Sequence, residues 1–138
     1  MRIFFDANVL FSAAKSDGAV RQLLALLIDA GHECWADGYV VEEARRNLLA
    51  KAPEGVQVLD AFLARMNLAA TQSISETIDA ALVLPEKDRP VLVAAIRLKC
   101  DVLVTGDRTH FGTFYGTRLG GVAIHSPRSL ATTRSRSA

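Results

Sequence analysis

The sequence predicts an α/β fold in three layers (α/β/α), with helices on both faces of a mostly parallel central sheet. Short apolar runs typical of buried strands alternate along the chain with longer segments whose apolar residues recur at helical spacing. Such alternation favours a parallel sheet, because each helix returns the chain to the edge where the next strand begins. Half of the 138 residues are hydrophobic, which supports a single packed domain.

The beginning of the chain predicts one strand and one helix. Residues 2–6 read as a short buried strand that ends in Asp6, and the chain is expected to turn between Asp6 and Asn8. Apolar residues at helical spacing then predict a helix over residues 20–28, after which Gly31 is a typical stop signal.

The middle of the chain predicts a second strand and two more helices. Residues 33–36 form the strand, residues 37–38 form a turn, and residues 39–50 have the apolar spacing of a helix. Pro53 suits the first turn of a further helix, whose apolar stripe runs to Met66.

In the following segment, the sequence predicts a brief third strand over residues 69–74. A short helix followed by a loop is expected over residues 75–87. Asp88 opens another helix that runs to about Lys99. Residues 102–104 are a short apolar run and are expected to form a buried strand.

The end of the chain predicts an irregular segment over residues 111–115 and a last strand over residues 122–124. Beyond these, the Ser, Thr and Arg residues are typical of a frayed terminus. We therefore predict one domain over residues 1–130 and a flexible C-terminal tail over residues 131–138.

The charge, cysteine and apolar patterns exclude several classes of protein. The net charge is +1, far less than a protein that grips nucleic acid by charge alone would carry. Cys34 and Cys100 are distant in sequence and the histidines are scattered, so neither a zinc site nor a histidine metal site is expected. No apolar run is long enough for a membrane span and the N-terminus is unlike a secretion signal, so we expect a cytoplasmic protein.

Four acidic positions are predicted to lie at one rim of the sheet. They are Asp6 after the first strand, Glu42 or Glu43 in the helix after the second, Asp88 at a helix start, and Asp107 after residues 102–104. The carboxyl ends of parallel strands share an edge, where ligands collect. Crowded carboxylates repel each other, and a divalent cation such as Mg²⁺ or Mn²⁺ removes that repulsion. Such an ion activates water and stabilises charge on phosphate, so the pattern indicates metal-assisted hydrolysis of a phosphate ester.

Each acid also has an ordinary structural interpretation. Asp6 suits the turn after its strand, and Glu43 suits an exposed helix surface. Asp88 suits the N-cap of its helix, with Pro90 in the first turn, and Asp107 suits a Gly-Asp turn. The interpretation as a metal site therefore depends on the shared rim rather than on any single acid.

An ordered set of motifs resembles the PIN domain, the nuclease fold used by VapC-type toxins and related RNA-processing proteins. The motifs are Phe5-Asp6-Ala7-Asn8, Val40-Val41-Glu42-Glu43-Ala44 followed by Leu48, Lys87-Asp88 before an Ala-rich helix, Asp101-Val102-Leu103-Val104-Thr105-Gly106-Asp107, and Val122-Ala123-Ile124 followed by Ser126-Pro127. The resemblance covers roughly residues 1–130.

The resemblance implies a PIN-like fold and a set of site residues. Its spacing selects Glu43 over Glu42, a choice that helical periodicity leaves open. The implied ligands of Mg²⁺ or Mn²⁺, which are also the implied catalytic residues, are Asp6, Glu43, Asp88 and Asp107, with Asn8 and Thr105 supporting them by hydrogen bonds. Many relatives carry a further acid shortly after the Thr-Gly-Asp turn, where this chain has Thr109 and His110.

The resemblance also implies a function and partners. The chain would be a metal-dependent endoribonuclease and the toxin of a toxin–antitoxin pair, with RNA as substrate, an antitoxin protein as partner and a homodimeric assembly. Five basic residues near the acids either hold the RNA backbone or are solvated surface charges: Arg45, Arg46, Lys87, Arg89 and Arg108.

Two other functions fit parts of the pattern. One is a catalytically weak PIN-like module that binds RNA or protein, although such a module has no need of carboxylates that repel phosphate. The other is a receiver-like phosphoacceptor domain, which also gathers acids around Mg²⁺ but requires a Lys after a late strand. Here His125 follows residues 122–124, which argues against the receiver.

Overall fold

The structure is a computed structural model that describes residues 1–71 and 79–137. Within these residues the strands are β1 (Arg2–Phe5), β2 (Glu33–Asp37), β3 (Asn67–Ala69), β4 (Val102–Val104), β5 (Arg118–Leu119) and β6 (Val122–His125). They form one six-stranded sheet of order β3-β2-β1-β4-β6-β5. Neighbouring strands are parallel except β5, which runs antiparallel to β6. The predicted three-layer α/β class with a mostly parallel sheet is confirmed.

Seven α-helices connect and flank these strands in the described part of the chain. They are α1 (Ala7–Lys15), α2 (Ala19–Asp29), α3 (Gly38–Lys51), α4 (Gly55–Leu63), α5 (Arg89–Arg97), α6 (Arg108–Phe111) and α7 (Pro127–Ser137). Short 3₁₀ helices occupy Asp79–Val83, Glu86–Asp88 and Gly112–Phe114. Among the described residues, no helix combines the length and apolar character needed to cross a membrane.

The central strand β1 places the site in the middle of the sheet. Its side chains from Ile3 to Phe5 are almost wholly buried, as expected of a parallel strand covered on both faces. β1 pairs with β2 on one side and with β4 on the other, where Phe5 lies opposite Val104. The residues that follow β1 and β4 therefore leave the sheet side by side. Both cysteines are buried free thiols.

The first helix begins earlier than the sequence predicts. The residues from Asp6 to Asn8 do not turn the chain, because α1 starts directly after β1 at Ala7. Asp6 is its N-cap, and the Asp6 carboxylate accepts a hydrogen bond from the backbone N–H of Ala7. An aspartate at this position satisfies a backbone donor that the helix leaves unpaired, which explains the abrupt change from strand to helix.

The C-terminal segment is a helix where the sequence predicts a loose tail. α7 spans Pro127–Ser137 and thus includes most of the predicted tail. Ser126 and Ser129 each donate a backbone N–H to the other's hydroxyl, both at 3.0 Å, which is a reciprocal cap of the helix start. Pro127 suits the first helical position, and Leu130 is buried. The predicted boundary of the domain at residue 130 remains a prediction.

Three smaller elements also differ from expectation. β3 lies at Asn67–Ala69, before most of the strand predicted over 69–74, whose last part falls outside the described residues. α4 ends at Leu63, short of the predicted stripe to Met66. β5 was not predicted, since a two-residue antiparallel strand has too short an apolar pattern to recognise.

Candidate metal centre

The ends of β1 and β4 bring the first two site residues together. The backbone N–H of Asp6 donates to the carbonyl oxygen of Val104 at 3.0 Å, which continues the sheet one step beyond β1. This places Asp6 beside Thr105, the residue that follows β4, and Thr105 is fully buried. The Thr105 hydroxyl donates to Asp6 Oδ2 at 2.8 Å.

The carboxylate of Asp6 is held by three donors. Oδ1 accepts from the backbone N–H of Ala7 at 2.7 Å, while Oδ2 accepts from Thr105 and more weakly from Asn8 Nδ2 at 3.4 Å. Only 6% of Asp6 is exposed. These hydrogen bonds and the burial therefore hold the carboxylate in one orientation and keep it from turning towards solvent.

Burial is the main cause that raises the pKa of Asp6, from 3.8 to about 6. The negative charges of Glu43 and Asp88 act in the same direction. The hydrogen bonds from Thr105 and Ala7 act in the opposite direction. The carboxylates thus interact electrostatically, as the sequence predicts for acids that share a rim.

The two predicted support residues tie the strand ends to each other. The side-chain oxygen of Asn8 accepts from the backbone N–H of Gly106 at 2.8 Å, so the amide spans from Asp6 to the segment after β4. Thr105 Oγ1 accepts from the backbone N–H of Asp107 at 3.2 Å. Each side chain consequently contacts Asp6 and the turn that carries Asp107.

Asp107 and Asp88 meet around a histidine. Asp107 caps α6 through Oδ1, which accepts from the backbone N–H of His110 at 3.1 Å. Its Oδ2 lies 2.7 Å from His110 Nδ1. The same nitrogen lies 2.9 Å from Asp88 Oδ2. One ligand atom from each of these residues lies within 4.8 Å of those of the other two.

Asp88 stands at the N-cap position of α5, but capping does not account for the position of its side chain. It is 9% exposed and precedes α5, yet its side chain makes no capping hydrogen bond. Although Asp88 Oδ2 is close to His110 Nδ1, it has no hydrogen-bond partner among the described residues, since the nitrogen's hydrogen bond goes to Asp107. Burial is the main cause that raises the pKa of Asp88, and the charge of Asp107 adds to it, while His110 and Lys87 lower it.

The structure distinguishes Glu43 from Glu42. The Glu42 side chain is 78% exposed and pairs with Arg46 across one helical turn at 3.5 Å. Glu43 lines a cleft of about 260 Å³ together with the three aspartates Asp6, Asp88 and Asp107. The register that the resemblance selected is therefore the one in which the acid points to the rim. Glu43 is not part of the tight group formed by Asp88, Asp107 and His110.

Two lysines border this cleft, and only one of them was considered from the sequence. Lys87 and Lys51 both line it, as does Tyr39, whose hydroxyl donates to the Lys87 carbonyl at 3.0 Å. The other basic residues near the acids make contacts elsewhere. Arg45 pairs with Asp60 at 2.9 Å, Arg46 pairs with Glu42, Arg89 donates to the carbonyl oxygen of Leu84 at 3.0 Å, and Arg108 lines a separate groove.

Comparison with known proteins identifies the family. Residues 2–109 match the profile of the PIN domain. The chain belongs to the PIN domain family. Members of this family are nucleases, and the matched residues include every predicted ligand.

Solved structures share this PIN fold. A complex of VapBC2 from Rickettsia felis with a DNA fragment from their promoter matches at 14% identity and a TM-score of 0.62, over 91% of this chain and 98% of that one. DNA-bound VapBC from Salmonella typhimurium matches at 14% identity and a TM-score of 0.63, over 92% and 98%. At this identity the likeness shows the fold. No curated protein matches the sequence.

The residues of this PIN domain fit a divalent cation. Asp88 Oδ2 is a buried carboxylate oxygen that accepts no hydrogen bond from the described residues, and the one imidazole beside it is shared with Asp107, so the two carboxylates have less positive charge near them than they need. Carboxylate oxygens are the ligands that Mg²⁺ and Mn²⁺ prefer. The sequence did not predict His110, because the histidines were considered as a scattered set. Its spacing of three residues from Asp107 at a helix start was the available signal.

Proposed function

We propose that this PIN domain is a divalent-metal-dependent endoribonuclease that hydrolyses RNA phosphodiester bonds. The observation that supports it best is the buried Asp88 Oδ2, which accepts no hydrogen bond from the described residues and shares its nearest basic group, His110, with Asp107 at the rim of the sheet. A protein that only bound RNA would gain nothing from such a group, because carboxylates repel phosphate. Acting on cellular RNA also agrees with the cytoplasmic location that we expect from the sequence.

The ligands in this proposal are Asp6, Glu43, Asp88 and Asp107. When bound, Mg²⁺ or Mn²⁺ would supply the activation of water and the neutralisation of charge on the phosphate that hydrolysis requires. All four side chains line the same cleft, so one or more cations there would face several of them.

The other residues of the cleft have separate tasks. Thr105 and Asn8 hold the Asp6 carboxylate in one orientation, which keeps its oxygens directed at the cleft. Lys51 and Lys87 provide positive charge at the border of an acidic site, where an RNA backbone phosphate would otherwise be repelled. These contacts involve phosphate rather than bases, so they position RNA without reading its sequence.

We further propose that the chain is the toxin of a toxin–antitoxin pair and forms a homodimer. Support comes from the shared fold, since the two matching structures described above are VapBC assemblies bound to DNA. An antitoxin protein would then be its partner. Co-expression with the product of a short neighbouring reading frame tests this role, and growth arrest that this product does not relieve would contradict it.

The nuclease proposal is tested on a panel of structured and single-stranded RNAs with Mg²⁺, Mn²⁺ or EDTA. We expect wild type to cleave only with metal, Asp88→Asn to lose cleavage, and Asp17→Asn, an exposed aspartate between α1 and α2, to retain it. Cleavage by Asp88→Asn in EDTA would refute the metal mechanism. A wild type that binds metal but cuts no RNA would favour the binding module.

A further inference from the structure

The His110 ring nitrogen Nδ1 lies between two carboxylates, 2.7 Å from Asp107 Oδ2 and 2.9 Å from Asp88 Oδ2. From this arrangement we propose that His110 is itself a ligand of the divalent cation, through Nδ1, and that this nitrogen makes the centre prefer Mn²⁺ over Mg²⁺. The inference rests on the metal site of the proposed function, and it does not depend on whether RNA is the substrate.

The start of α6 fixes the imidazole in this position. The capping bond from the His110 backbone N–H to Asp107 Oδ1 brings residue 110 back over residue 107. The side chain of His110 is 25% exposed, so most of the ring is enclosed. As a result Nδ1 is directed at Asp107 and Asp88 rather than at solvent.

The hydrogen bonds at this point do not satisfy both acids. His110 Nδ1 carries at most one proton, and its hydrogen bond goes to Asp107 Oδ2. Asp88 Oδ2 lies 2.9 Å from the same nitrogen but is left without a hydrogen-bond partner among the described residues, although it is buried. Two carboxylate oxygens and one ring nitrogen therefore lie within 4.8 Å of one another, and at most one proton lies between the nitrogen and the two acids.

The distances between these atoms suit one shared cation. Ligand bonds of about 2.1 Å in octahedral geometry separate adjacent ligand atoms by about 3.0 Å and opposite ones by about 4.2 Å. The nitrogen lies 2.7 Å and 2.9 Å from the two oxygens, close to the adjacent separation. The oxygens of Asp88 and Asp107 lie within 4.8 Å of each other, which leaves room for either arrangement.

A nitrogen ligand changes which cation the centre favours. Mg²⁺ takes oxygen ligands almost exclusively and gives up its water reluctantly, whereas imidazole suits transition metals. Mn²⁺ accepts carboxylate, water and imidazole together. A neutral imidazole ligand beside the carboxylates therefore moves the preference of the centre from Mg²⁺ towards Mn²⁺ and adds no negative charge to the site.

Pulsed electron paramagnetic resonance of the Mn²⁺-loaded protein tests the bond directly, because the unpaired electrons of Mn²⁺ couple to a ligated ¹⁴N. We expect ¹⁴N modulation in wild type and in the control His32→Asn, whose histidine precedes β2 at the opposite rim of the sheet. We expect none in His110→Ala. Absence of the modulation in wild type, or its persistence in His110→Ala, would overturn the proposal.

Calorimetric titration with Mn²⁺ and with Mg²⁺ provides a second measurement, with circular dichroism to verify that each variant is folded. Loss of an outer-shell contact typically weakens metal binding about 10- to 100-fold, so loss of a direct ligand in His110→Ala should weaken Mn²⁺ binding at least about tenfold and Mg²⁺ binding less. His110→Asp should narrow the Mn²⁺-to-Mg²⁺ affinity ratio. Equal effects on both ions in both variants would contradict the assignment.

These measurements separate this inference from the nuclease proposal, because neither uses RNA. A wild type that shows ¹⁴N modulation but cleaves no RNA would leave His110 as a ligand and refute the nuclease. Metal-dependent cleavage of RNA without ¹⁴N modulation would support the nuclease proposal and refute His110 as a ligand.

Discussion

Replacement of Asp6 by asparagine should remove a pH dependence from the stability of the metal-free protein. The pKa of Asp6 is raised by burial from 3.8 to about 6 in the folded chain. Because the folded value lies above the unfolded one, the folded state binds the proton more tightly, and stability rises as pH falls from above 6 towards 3.8. Above pH 6 this contribution is absent.

The size of the effect follows from the two pKa values. Between pH 7.5 and pH 5 the folded carboxyl becomes largely protonated while the unfolded one stays ionised, so Asp6 adds about 1.4 kcal/mol to the free energy of unfolding. Burial of the group means that solvent screens this contribution little. Other groups titrate in both proteins, so the difference between wild type and Asp6→Asn isolates Asp6.

Urea unfolding in EDTA at pH 7.5 and pH 5 measures this difference. We expect wild type to gain about 1.4 kcal/mol more than Asp6→Asn when the pH is lowered. An equal pH response in the two proteins would show that Asp6 is solvated or already paired, and it would refute the electrostatic account of the site. A larger gain in stability for Asp6→Asn than for wild type would mean that the folded protein lowers the pKa of Asp6 instead of raising it.

Three further predictions concern single contacts. Thr105→Val removes the hydroxyl that donates to Asp6, and it should lower the free energy of unfolding of the metal-free protein at pH 7.5 by about 1.5–3 kcal/mol, measured in urea. Thr105→Ser should recover most of this loss. A Val variant as stable as wild type would mean that the hydrogen bond contributes nothing. Glu43→Gln should reduce the rate of RNA cleavage about 10- to 100-fold whereas its exposed neighbour Glu42→Gln should not, and equal rates would exclude Glu43 from the site. Ser126→Ala removes the cap of α7 and should lower the unfolding free energy by about 1 kcal/mol, with cleavage unaffected; a loss of cleavage would connect α7 to the site.

The parts of the fold that were predictable are those in which the signal is local. β1 is a short apolar run that ends in an acid, and α2 carries apolar residues at helical spacing, so both elements follow from neighbouring residues. The start of α1 was missed although its signal is local, because Asp6 was interpreted as a turn residue and not as a cap. The reciprocal cap of Ser126 and Ser129 at α7 was missed in the same way.

The site itself was predictable only in part, because its geometry depends on contacts between distant segments. Each acid follows from its place after a strand or at a helix start, but Asp88 and Asp107 come together only because the fold places the start of α5 beside His110 of α6. Periodicity alone did not separate Glu43 from Glu42; the separation comes from the way α3 lies over the cleft, which exposes Glu42 to solvent. Lys51 stands at the far end of α3 from the predicted acids, and only the folded helix brings it to their border.

The strain that the acids place on the metal-free protein and the affinity of the centre for a cation have one physical origin. Burial raises the pKa values of Asp6 and Asp88 because it disfavours their ionised forms, and a bound cation removes that penalty by providing the missing positive charge. Any substitution that neutralises one of these acids therefore relieves the burial penalty and also weakens cation binding. A substitution of one of these carboxylates is therefore expected to change two quantities in opposite directions. The free energy of unfolding in EDTA should rise where the affinity for the cation falls.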